Sequence, residues 1–298
     1  MPPRSYVKVA DRFCLPQVRP SIPALYFRVP LVQTSSAIRT ISSAAPTQDP
    51  YSSVPLPPNR WVSDVRSRIG KCISFGCNST QVQRATKIIS TLAREWRVLS
   101  AGSEGFIASS RSGLEDQQVV WGEMDSFGHV NNANYIRYAE SARVKWILHF
   151  AIEDPKHREA WNDLMQPKNI GLIMKSITAD YKFPMTTPDT ISAYHRLRNC
   201  PEETHTSLIL DCIILSHRHR RIAARTFEDV AIYDYRKAKK TVLPDFMLGV
   251  FRDRWRKQEE QANWARQRIW DLLKEVESLE KETWDRPDAV EDFGAAGK

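Results

Sequence analysis

A chain of 298 residues with 42% hydrophobic content can bury one good core and a smaller appendage, and it holds no apolar run long enough for a transmembrane helix. Five scattered cysteines (Cys14, Cys72, Cys77, Cys200 and Cys212) argue for reduced thiols in an intracellular compartment, and no His pair completes a zinc knuckle with Cys72 and Cys77. The net charge of +8 is concentrated in residues 1–48, where Arg4, Lys8, Arg12, Arg19, Arg28 and Arg39 face Asp11 alone, so the charge is not read as nucleic-acid binding.

Residues 1–48 are rich in Arg, Ser and Pro and lack the continuous apolar core of a secretory signal. The expectation is a mitochondrial transit peptide, with a processing region at 37–43 where Arg39 precedes small residues. The expected localisation is the mitochondrial matrix. Residues 49–59, with Pro50, Pro55, Pro57 and Pro58, read as a linker. From 60 to 114 a helical extension is expected. Trp61, Val65, Ile69 and Ile73 recur at helical spacing, and Gly76 stops that helix. Asn78, Ser79 or Thr80 caps a second helix, whose apolar face takes Val82, Ile88, Ile89, Leu92, Trp96 and Leu99. Gly102 and Gly105 end it.

The main domain is expected over 115–245. A short strand covers 119–121, and Asp125 closes this apolar run. A turn with Gly128 follows, then Asn131 and Asn132 at a helix start. The helix runs over about 132–150, with Tyr135, Ala139, Ala142, Trp146 and Phe150 on one face. Four strands then read at 171–183, 190–199, 207–216 and 221–235, rich in Ile, Leu, Val, Thr and Tyr. One long helix followed by a run of strands argues for an α+β fold with an antiparallel sheet. Residues 246–284 return to helix, basic in the first half and acidic in the second. It reads as docked on its own domain or paired in a dimer, or else as a partner-binding arm. The tail after Pro287 reads as disordered.

The segment 121–135, from Trp121 through Glu123, Asp125, Gly128, His129, Asn131 and Asn132 to Tyr135, resembles hotdog-fold thioesterases of the 4-hydroxybenzoyl-CoA thioesterase type. Residues 139–143 resemble that family's helix. The resemblance implies the hotdog fold, a curved antiparallel sheet wrapped around a long central helix, to which this chain adds helical N- and C-terminal extensions. The extensions at 60–114 and 246–298 lie outside the resemblance and are read from helical spacing alone. The resemblance also implies a homodimer with active sites at the interface. The implied activity is hydrolysis of an acyl thioester carried by coenzyme A or an acyl-carrier protein. Coenzyme A enters as part of the substrate, and no metal or redox cofactor is implied. Asp125 would be nucleophile or general base, and the N–H near Asn132 would polarise the carbonyl. His129 would orient Asp125 or donate to the substrate. In the plant acyl-carrier thioesterase branch an Asn lies between such an Asp and His; here Phe127 takes that place.

Plainer roles compete. Asp125 can close its own turn, Asn131 and Asn132 can act as helix caps, and His129 can bond a turn carbonyl. Glu123 is a second carboxylate candidate, two residues before Asp125. The basic run His217-Arg218-His219-Arg220-Arg221 falls on a hairpin tip. It reads as a solvated loop, or as a holder of coenzyme A phosphates or RNA; the aromatics of an RNA-recognition sheet are missing. Two rival functions remain open: a noncatalytic hotdog subunit of a mitochondrial assembly, with or without RNA, and a dehydratase acting on hydroxyacyl thioesters.

Overall fold

The computed structural model describes residues 51–291, all within one compact unit. The segment read as a transit peptide, the processing region read at 37–43, Cys14 and residues 292–298 lie outside the described residues.

Two helices lead the chain, α1 (Trp61–Ser74) and α2 (Ser79–Gly102). Asn78 caps α2 by accepting the Gln81 N–H, and the Gln81 side chain returns the bond to the Asn78 N–H. Strand β1 (Leu114–Val119) precedes the long helix α3 (Asn132–Glu153) and the short α4 (Arg158–Asp163). Strands β2 (Ile170–Tyr181), β3 (Asp189–Leu197), β4 (Ser207–Ser216), β5 (Arg221–Asp234) and β6 (Lys239–Lys240) follow. Helix α5 (Asp245–Thr283) comes last; at 1.5 Å per residue it spans roughly 58 Å.

Every strand pairing is antiparallel, in the order β1-β3-β4-β5-β2, with β6 paired to β5. Breaks in register within β1/β3, β2/β5 and β4/β5 bend the sheet. One face takes Ala193, Cys212 and Ile214, packed with Tyr135, Tyr138, Ala139 and Ala142 of α3. The other takes Tyr194, Ile213 and Leu215, packed with α1, α2 and α5 through Ile69, Leu92 and Ile269. This double burial explains why β4 is apolar on both faces from Cys212 to Leu215. A curled antiparallel sheet around one long helix is the hotdog fold, so the α+β expectation holds.

Three details differ from the sequence expectation. The first strand ends at Val119, and Trp121–Glu123 forms a single 3-10 turn. The Glu123 carboxylate accepts the Val120 N–H at 2.9 Å, which draws the chain out of the strand ladder. Asp125 therefore does not sit at a strand end, and Glu123 does not share a strand face with it. Helix α4 and strand β6 were not expected, since neither is long enough to show a period. Residues 51–59 form a pinned strap: Tyr51 Oη donates to Leu197 O at 2.9 Å, and Trp270 Nε1 to Pro55 O at 2.9 Å.

Helix α5 lies against α1 and α2 of its own chain and is no free arm. Arg68 Nε donates to Glu280 Oε1 at 2.8 Å, and buried Arg266 donates to Ser103 O at 2.6 Å and to Val54 O at 2.8 Å. Gly102 permits the close approach. A Cβ there would lie 2.7 Å from Gln261 Nε2 and 2.9 Å from Ala265 Cβ. Gly102→Val is expected to destabilise the fold by about 1–3 kcal/mol through overpacking. Urea unfolding measures this, and an unchanged midpoint would mean the α2–α5 contact is loose. Among the described residues, no helix is long and apolar enough to cross a membrane.

Candidate active site

The site grows from a tight loop between β1 and α3. Met124 and Val130 form an isolated antiparallel bridge, and the Asp125 N–H donates to His129 O at 2.8 Å. Gly128 closes the loop with φ +73, a conformation glycine adopts without strain. Asp125 Oδ1 accepts the Phe127 N–H at 2.8 Å and the His129 N–H at 3.4 Å. The turn-closing role is thus real for one carboxylate oxygen. Oδ2 has no hydrogen-bond partner among the described residues.

Two contacts fix the start of α3 to this loop. Glu123 O accepts the Asn131 N–H and Asn134 Nδ2, each at 2.9 Å. Asn131 Oδ1 caps the Ala133 N–H at 2.9 Å, and Asn131 O accepts the Asn134 N–H at 2.9 Å. Among the described residues the Asn132 N–H has no acceptor, at the positive end of a helix of 22 residues. Of the two asparagines, Asn131 is the cap; Asn132 is exposed and offers its main chain.

Asp125, His129 and Asn132 line one open cleft of about 580 Å³. Tyr135, Tyr181, Lys182 and Phe183 also line it, and of these the motif at 121–135 contains Tyr135 alone. Tyr181 comes from the end of β2, where its ring meets that of Tyr135 edge to face at 5.1 Å and its hydroxyl donates to Asn132 O at 3.3 Å. Burial raises the pKa of Tyr135 and of Tyr138 deeper in α3, which keeps both phenols protonated. Lys182 pairs with Asp180.

The His129 imidazole does not orient Asp125. Among the described residues the two meet only through main-chain atoms and Asp125 Oδ1, and the ring makes no hydrogen bond. Glu123 is committed to Val120 and is absent from the cleft wall. Phe127 is 83% exposed, and nearby Trp121 is 82% exposed, so two large aromatic side chains stand out beside the Asp125 turn.

Residues 119–251 match the family model of the thioesterase-like superfamily. That match spans the region from the end of β1 into α5 and agrees with the resemblance carried by residues 121–135. Among solved structures, a thioesterase from Thermus thermophilus, complexed with coenzyme A and Zn, is 20% identical, with 53% of this chain and 98% of that one covered and a TM-score of 0.38. The DHNA-CoA thioesterase of Staphylococcus aureus is 16% identical, with 55% and 93% covered and a TM-score of 0.36. The PA2801 protein of Pseudomonas aeruginosa is 22% identical, with 47% and 97% covered and a TM-score of 0.37. No curated protein matches the chain. The fold assignment stands on the chain's own strand order and central helix, together with the family match.

Proposed function

We propose that this domain hydrolyses an acyl thioester, with the reacting carbonyl held at the start of α3. One observation carries the reading. A single cleft holds a carboxylate oxygen without a partner, on Asp125, and is lined by Asn132, whose helix-start N–H has no acceptor. The carbonyl oxygen takes the Asn132 N–H, which stabilises the negative charge of the tetrahedral intermediate. Asp125 then acts in one of two ways. As nucleophile it attacks the carbonyl carbon and expels the thiolate, leaving an anhydride that water cleaves. As general base it takes a proton from the water that attacks. Both routes yield the free acid and the thiol. A helix N-terminus supplies only about 0.3–1 kcal/mol when exposed, so positioning and exclusion of water must supply the rest. His129 is placed to donate to the substrate, since its ring is uncommitted.

A second copy belongs to this reading. Strand β2 is one of the two edge strands of the sheet, and exposed Trp121 and Phe127 flank the Asp125 turn. A partner covering them would shield the cleft from water. Light scattering on residues 49–298 is expected to give twice the chain mass, and a monomer would remove the partner from the mechanism. The matrix address proposed for residues 1–48 is tested by whether they carry a fluorescent reporter into mitochondria.

The deciding experiment is thiol release from short, medium, long and aromatic acyl-CoAs, and from an acyl-carrier-protein thioester, by residues 49–298. Turnover on at least one substrate is expected. A folded protein inert on all of them would favour the noncatalytic subunit. The charge-segregated C-terminal helix, one motive for that rival, buries its apolar stripe on its own domain.

A further inference from the structure

A second pocket, of about 420 Å³, adjoins the reaction cleft. It lies between the Pro-rich strap, the ends of α1 and α2, and the start of β5. Its Pro57, Arg60, Trp61 and Ser103 precede the segment that matches the thioesterase-like superfamily, so the extension supplies one wall. Five cations reach this pocket: Arg60, Lys182, Arg220, Arg221 and Arg225. The one acid lining it is Glu104. Arg225 is neutralised there, with two nitrogens each 2.6 Å from the Glu104 oxygens, and Lys182 is neutralised by Asp180. Among the described residues no carboxylate pairs with Arg60, Arg220 or Arg221.

Three unpaired guanidinium groups around one pocket repel one another unless an anion joins them. Arginine's planar fork of donors fits phosphate oxygens. Leu56, Trp61, Val62 and Ile222 add apolar lining, and the volume suits a nucleotide-sized ligand. The two cavities are continuous in their walls. Lys182 lines both, and Arg221 lies 4.0 Å over the ring of Phe183, which lines the reaction cleft. His217 of the same hairpin takes no part. Its Nε2 meets Ser192 Oγ at 2.9 Å, and burial lowers its pKa.

We propose that this pocket binds the adenosine 3′,5′-bisphosphate end of coenzyme A, with Arg60, Arg220 and Arg221 on the phosphates. The proposal rests on the thioester reading and deepens it. The helical extension becomes a carrier-selecting element, which favours a coenzyme A thioester over a carrier-protein thioester. A single-stranded RNA fits less well, because the pocket's one aromatic ring, Trp61, is 3% exposed and offers no stacking platform.

Calorimetry on residues 49–298 tests this with coenzyme A, adenosine 3′,5′-bisphosphate, phosphopantetheine, inorganic phosphate and a short single-stranded RNA. Two variants are compared with the parent. Arg60→Gln alters a helix-start residue whose side chain makes no cap bond, and Arg220→Asn keeps a residue that tolerates the local φ of +49. Circular dichroism confirms that each is folded. The bisphosphate is expected to compete with coenzyme A, and each variant to weaken coenzyme A binding by about tenfold, the loss of one charge-assisted hydrogen bond. Phosphopantetheine is expected to bind more weakly than coenzyme A and to be insensitive to both changes. Unchanged coenzyme A affinity in both variants would overturn the proposal. So would inorganic phosphate binding as tightly as the bisphosphate, or RNA binding that coenzyme A does not displace. Hydrolysis of an N-acetylcysteamine thioester by the parent, a substrate without a nucleotide, reports the reaction cleft separately. Its failure would count against the thioester reading and leave the binding result standing.

Discussion

Glu228→Ala is expected to lower the stability of the domain by about 3–5 kcal/mol, the usual cost of removing one partner from a buried ion pair. Glu228 lies on β5, and its side chain is fully buried. Arg143 of α3 reaches its Oε2 at 2.8 Å, His195 Nε2 lies 3.2 Å from the same oxygen, and Thr226 Oγ1 donates to Oε1 at 2.9 Å. Removing the carboxylate strands a guanidinium between the sheet and the central helix. Burial alone would raise the Glu228 pKa, but the His195 ring and the Arg143 guanidinium override it and hold the carboxyl down to about 2, against an ordinary 4.5. The sign follows from that depression. The stabilisation is fully present above pH 4.5 and is lost as the pH falls through about 2. Across that window the loss amounts to roughly 3 kcal/mol. Urea unfolding between pH 6 and pH 2 measures it (roughly the range over which such a carboxyl titrates). The gap between parent and variant should narrow toward low pH; a gap that stays constant would mean that Glu228 does not titrate in this way.

Asp125→Asn is expected to fold as the parent does and to lose about 10²–10⁴-fold in turnover, the range for removal of a positioned acid–base group. The fold should survive because the turn uses Oδ1 alone as an acceptor, from the Phe127 and His129 N–H groups. An asparagine side-chain oxygen accepts the same two bonds. What asparagine lacks is the negative charge at the second position, whether it is spent on attack or on a proton. Far-UV circular dichroism checks the fold, and kcat is compared on the substrate that the acyl panel selects. Activity within a few-fold of the parent would remove Asp125 from the mechanism and leave its turn role as its only one.

The elements of this fold that carry a long period were legible. The strand at 207–216 matches β4 (Ser207–Ser216), and the helix start at Asn132 was marked by the capping Asn131. The α3 face of Tyr135, Ala139, Ala142, Trp146 and Phe150 is buried as its spacing implied. The loop before α3 was legible in composition but not in shape. A strand through Trp121 fitted the apolar run, yet a 3-10 turn won because the Glu123 carboxylate satisfies the Val120 N–H locally. The carboxylate and helix start of the site lie within one short segment, so one motif displayed them together. Its walls do not. Tyr181 and Phe183 arrive from the far side of a helix and a loop, and Arg60 joins Arg220 only through the folded extension. Glu228 was invisible for a related reason. A charged residue in a strand reads as solvent-facing until a distant partner, here Arg143, is known to reach it.

A crystal structure of residues 49–298 with a non-hydrolysable thioether analogue of an acyl-CoA that bears a ketone in place of the thioester carbonyl tests the central claim most directly. The ketone oxygen is expected within hydrogen-bond distance of the Asn132 N–H, with Asp125 Oδ2 facing the carbonyl carbon or a water beside it. An analogue bound with its carbonyl away from both groups would contradict the account, whatever its affinity.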